Sequence, residues 1–173
     1  VYELWFKLVL RELVAARDLF NQNPVPDMAL ADATRSFRRV TTIFEQAASH
    51  FEVMETLTTR DYLGFRDALI GASGFQSAQM REIEILLGLE DEKRLGLGAE
   101  GTYKDALRGK DGSASVALER VERRLHGGPS LKGVVYAWLA RTPVSEDGPD
   151  AFLKSVLAAH HEEVKKRLEI VER

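Results

Sequence analysis

Between Phe37 and Met54 the apolar residues Phe37, Val40, Phe44, Ala47, Phe51 and Met54 recur at alternating steps of three and four. That spacing keeps one face of a long helix apolar and demands partner helices to cover it. No stretch alternates apolar and polar residues over the length a strand needs, so the pattern predicts an all-α helical bundle. The seam belongs to a helix expected over 28–57, with Asp27 as its N-cap. Two prolines in "NQNPVPD" (21–27) separate it from a first amphipathic helix over 1–21, where Leu4, Trp5, Leu8, Val9 and Leu13 form the apolar stripe.

Further along, Thr58 and Asp61 form a capping-box pair that starts a helix running to Leu69. "IGASG" (70–74) breaks it, and a helix over 75–87 follows with Ile83, Leu86 and Leu87 as core candidates. Residues 88–114 are rich in glycine and charge and read as a surface excursion with a short helix over 103–107. Ser113 or Ser115 starts a helix ending near His126, and a short helix over 129–139 comes next. A last helix, over 151–173 and capped by Asp150, carries Phe152, Val156, Leu157, Val164, Leu168 and Val171. The whole is expected to be a single all-α domain over 1–173, with a variable excursion at about 88–150.

Composition enters by exclusion. The chain has no cysteine, so disulfides, thiolate metal sites and thiolate nucleophiles are out, and a reducing cytoplasmic setting is expected. A net charge of −3 argues against nucleic acid or an anionic membrane as partner. No apolar run reaches bilayer-spanning length. His160 and His161 are adjacent, so a helix points them about 100° apart and they make no chelating pair.

The segment with chemical promise is "ETLTTRDYLGFRDALIGASGFQS" (55–77). Tyr62 and Arg66 are four apart and share a helix face. A guanidinium beside a phenol, facing a Gly/Ser bend at Ser73 and Gly74, suits a ligand with a carboxylate and a flat apolar body. The same spacing is equally met by an Arg66 paired to a surface acid and a half-buried Tyr62.

"YELWFK" (2–7) and "VMETLTTRDYLGFRDALIGASGFQSAQMREIE" (53–84) resemble the tryptophan 2,3-dioxygenase family, densely over 1–20 and 51–88. The resemblance implies the all-α fold of that family and a homo-oligomer, tetramer or dimer. It implies haem b as cofactor, L-tryptophan or a related aromatic amino acid and O2 as partners, and N-formylkynurenine as product. By the same resemblance Arg66 grips the substrate carboxylate and Tyr62 packs beside the substrate. Phe51, Leu69, Ser73 and Gly74 lie on the haem pocket, while Leu4 and Trp5 pack behind it. Thr59 stands where the family has a proline, and "VMET" replaces "VLET". The family's histidine before "YELW" and its iron-ligating histidine in an "RFRH"-like stretch have no counterpart in these 173 residues, and none of His50, His126, His160 or His161 has matching surroundings. No iron ligand or catalytic residue is therefore assigned, and the chain reads as the ordered part of a longer protein. Two other readings accompany the dioxygenase: a haem-dependent hydroxylase of another aromatic amino acid in a biosynthetic pathway, and a haem-free helical protein that binds an aromatic acid.

Overall fold

Among the described residues, helices α1 (Tyr2–Phe20) and α2 (Asp27–Ser49) form the most extensive helix–helix contact, and the reason is the residue size on the facing stripes. In α1 the buried positions are Val9, Leu10, Leu13, Ala16 and Phe20. In α2 they are Ala29, Ala33, Ser36, Val40 and Ala47. The large residues of one helix thus enter a groove made by the small ones of the other. Phe37 lies beside this groove and stacks nearly parallel on Phe20, with centroids 6.3 Å apart. Glu12 bridges the pair through Arg39. Burial raises the Glu12 carboxyl pKa, but hydrogen bonds from Ser36 and Arg39 outweigh that and hold it below the ordinary carboxylate range.

The computed structural model describes residues 1–69, 76–94, 101–109, 111–142 and 149–171. All its regular structure there is helical, with no strand among the described residues. The chain divides into two compact units, Val1–Val135 and Tyr136–Arg173.

In the first unit, α2 does not continue to residue 57. It stops at Ser49, and a separate short helix, α3 (Phe51–Glu55), follows. His50 keeps helical angles, φ −63° and ψ −22°, but its carbonyl accepts from Val53 N–H, three residues on, so the winding tightens there. Asp27 is the first residue of α2, not its cap; Pro26 holds that place in an extended conformation. Helix α4 (Thr59–Arg66) begins with the expected reciprocal box. Thr58 Oγ1 accepts the Asp61 amide at 3.2 Å, and the Asp61 carboxylate accepts the Thr58 amide at 3.2 Å. A 3-10 turn, Asp67–Leu69, ends the segment.

Helix α5 (Ala78–Leu87) starts from Ser77, whose hydroxyl accepts the Met80 amide, rather than from residue 75. It packs on α1 with one side and on α7 (Val116–Leu125) with another. Ile83 and Leu86 are buried as expected, whereas Leu87 is exposed. Its C-terminus closes at Gly88, φ +90°, where an added Cβ would meet Ser130 Oγ at 2.9 Å. Both the backbone and the close neighbour therefore require glycine.

The glycine-rich stretch after Gly88 is more than a surface excursion. Tyr103, which opens α6 (Tyr103–Ala106), and Leu107 are buried with Leu118 and Val121 of α7 in a second core. Arg94 lies over the Tyr103 ring at 4.7 Å and pairs with Glu84 and Asp91. Ser115 caps α7 by accepting the Leu118 amide at 3.1 Å. Helix α8 (Leu131–Arg141) starts two residues later than expected. In the second unit, α9 (Pro149–Val171) leaves Val156, Leu157 and Val164 exposed, so the stripe expected to be core is uncovered there.

Candidate functional site

The N-terminus of α1, the C-terminal turns of α2, the break at His50 and the start of α5 line an open cavity of ≈ 630 Å³. That volume lies within the range of small-molecule and cofactor sites. Its walls are Phe6, Phe44, Ala47, Ala48, Phe51 and Met80. The polar lining groups are Tyr2, Glu3, Gln76 and Ser77; Glu3 and Ser77 join where α1 meets α5, and Tyr2 faces the end of α2. Such a lining accepts a flat apolar body and leaves hydrogen-bonding capacity along one edge.

The break in α2 coincides with a tertiary contact from α1. The His50 ring sits edge-on to Tyr2, with centroids 5.4 Å apart, and to Trp5, 5.9 Å apart. His50 Nδ1 and the Tyr2 hydroxyl are 2.9 Å apart, and that hydroxyl also lies 3.4 Å from the Ala47 carbonyl, to which it donates. The residue after His50, Phe51, then packs on the Tyr2 ring at 5.5 Å and lines the cavity. His50 therefore serves as a structural pin between α1 and the end of α2, and no histidine is among the lining residues.

Of the residues singled out from the sequence, Phe51 lies on this cavity. Trp5 packs against Tyr2 and His50, while Leu4 is exposed. Tyr62 and Arg66 occupy α4 together, outside the cavity lining. Tyr62 is 44% exposed and meets Phe65 edge-on at 5.6 Å. Arg66 is exposed in the last turn of α4, and no carboxylate pairs with it among the described residues. The start of this helix is fixed by Asp61, whose carboxyl is held below the ordinary range by hydrogen bonds from the Thr58 side chain and backbone. The Leu69 side chain, Ser73 and Gly74 lie outside the described residues. Val53, Met54, Leu57 and Leu63, in and around α3 and α4, are all exposed.

Sequence reasoning reached one wall of this cavity through the Phe44–Ala47–Phe51 seam. It did not reach Tyr2, Glu3, Gln76 and Ser77 as a group, because contacts such as Glu3 to Ser77 span 74 positions. Among the described residues there is no cluster of three or more His, Cys, Asp and Glu that could hold a metal ion, and no helix long and apolar enough to cross a membrane.

Residues 1–172 match a family model described as tryptophan 2,3-dioxygenase. The protein named tryptophan 2,3-dioxygenase from Sorangium cellulosum is 60% identical across 98% of this chain and 42% of its own length. Tryptophan 2,3-dioxygenase 2 of Ralstonia nicotianae is 51% identical across 98% of the chain and 47% of its own length. Tryptophan 2,3-dioxygenase B of Danio rerio is 36% identical across 96% of the chain and 39% of its own length. The chain thus spans less than half the length of these relatives.

Proposed function

Because the chain belongs to the tryptophan 2,3-dioxygenase family, we propose that it serves a haem-dependent oxygenase that inserts O2 into the indole ring of L-tryptophan to give N-formylkynurenine. The observation that carries this reading is the aromatic cavity between α1, α2 and α5. Phe6, Phe44, Phe51 and Met80 offer the apolar, polarizable walls that a porphyrin face packs against. The residues present therefore suit the macrocycle, while the iron's axial ligand is not among those lining the cavity. Phe51 holds the ring from this cavity, and Leu69, Ser73 and Gly74 are proposed to complete its contacts. When bound, the haem supplies the oxygen chemistry.

The rest of the work is positioning. Arg66 has no carboxylate partner among the described residues, which supports a guanidinium free to take the substrate carboxylate through two parallel hydrogen bonds. Tyr62, one turn earlier on the same helix, offers its ring to the indole. Holding the carboxylate and the ring together restricts the indole to one approach, and orientation of that kind is a large part of what a protein adds to a cofactor reaction. The cytoplasm and a homo-oligomer are the setting that goes with this reading.

The test is Arg66→Ala in the haem-loaded protein. Tryptophan affinity should fall about thirty-fold, as loss of a charge-assisted pair of about 2 kcal/mol implies, with haem content unchanged. An unchanged Michaelis constant for tryptophan would remove Arg66 from the substrate site. A protein that binds an aromatic acid but gives no Soret band with haemin would be the haem-free binder instead.

A further inference from the structure

We infer that Glu3 is a positioning residue, one that clamps the first turn of α5 to α1 and so sets the polar edge of the cavity. Its carboxylate accepts a hydrogen bond from Ser77 Oγ at 2.5 Å and another from Gln79 Nε2. The same Gln79 amide donates to the Glu3 backbone carbonyl at 2.8 Å, so side chain and main chain are held together. Gln79 is buried, and a buried amide left without these acceptors would be costly. No cation pairs with Glu3 among the described residues. Its partners are the neutral donors of Ser77 and Gln79, and it stands in the first turn of α1, where the helix dipole favours an acid.

The hydroxyl of Ser77 has two duties. It donates to Glu3 and accepts the Met80 amide at 3.2 Å, the bond that caps α5. Removing the Glu3 carboxylate frees the hydroxyl rotor and loosens the cap. Glu3, Gln76 and Ser77 all line the cavity, so the clamp fixes where α5 enters it. The inference rests on the haem reading of the cavity given above.

The test compares Glu3→Ala, Glu3→Gln and, as a control, Arg39→Ala, which breaks the Glu12 link between α1 and α2 elsewhere on the same helix pair. Haemin titration and amide hydrogen exchange are read on each purified protein. In Glu3→Ala the Met80 amide should exchange at least about ten-fold faster and haemin affinity should fall about ten-fold, as loosening by roughly one tenfold step of free energy implies. Glu3→Gln keeps one acceptor and should fall between. Arg39→Ala should leave haemin affinity within about two-fold. Unchanged Met80 exchange in Glu3→Ala overturns the clamp. Faster exchange with unchanged haemin affinity overturns the positioning role and leaves the haem reading standing. No haemin binding by the full-length natural protein overturns the haem reading itself, and the positioning role falls with it.

Discussion

Replacing Leu118 by alanine tests the second core, which packs α7 against α5. Leu118 is 2% exposed and packs among Tyr103, Leu107 and Val121, with Ala78, Ile85 and Ala117 around them. Burying a leucine is worth about 2 kcal/mol of transfer free energy, and the void left by truncation adds to that. Val121 is fully buried and Leu107 nearly so, which limits how far the surroundings can close on the gap. A loss of about 3 kcal/mol is therefore expected, within the usual span for leucine-to-alanine changes in cores. For a chain of this length that lowers the thermal midpoint by about 6–12 °C. Thermal and urea unfolding followed by far-ultraviolet circular dichroism provide the assay. A loss below about 1 kcal/mol would mean that Tyr103 and Leu107 do not close over α7, and that residues 88–114 are the solvated excursion their composition suggests.

Other substitutions probe the α1–α2 pair and the pin at its end. Glu12→Gln should lower stability at neutral pH. The folded carboxyl titrates below its unfolded value of 4.5, so it stabilises above that value and the benefit is lost as pH falls through the folded one. The urea-midpoint gap between natural chain and variant should therefore close in acid, and a gap that persists well below that pH would contradict the Ser36 and Arg39 bonds. Tyr2→Phe removes the hydroxyl shared by His50 and Ala47 and should cost about 1 kcal/mol, a drop of about 2–4 °C in midpoint. No measurable drop would show that water takes over the imidazole nitrogen.

The helical character of the chain was legible because the apolar steps of three and four are local, and so were the caps at Thr58 and Ser115, which need only a hydroxyl before a helical run. The break at His50 was not. No proline or glycine marks it, and its cause is a tertiary contact with Tyr2 and Trp5 from 45 and more positions away. Leu87 has the right period for the core but falls on the side of α5 that neither α1 nor α7 covers. Tyr103 and Leu107 sit in a stretch whose glycines and charges signal solvent, and their burial depends on partners in α7. Within the site, Phe51 was legible from the seam and from the resemblance together. The polar lining made by Glu3, Gln76 and Ser77 was not, since each of these residues alone looks like an ordinary surface group.

The central claim is that the cavity between α1, α2 and α5 receives the haem face, and filling it is the most direct test. Ala48 lines the cavity from an exposed position, so Ala48→Trp occupies the space without disturbing the buried α1–α2 stripe. Haemin titrated into the full-length natural protein should give a saturable Soret band. The Ala48→Trp protein should retain its helical circular dichroism and thermal midpoint but lose the band. An equally strong, equally tight Soret band in Ala48→Trp would place the haem elsewhere and contradict the account.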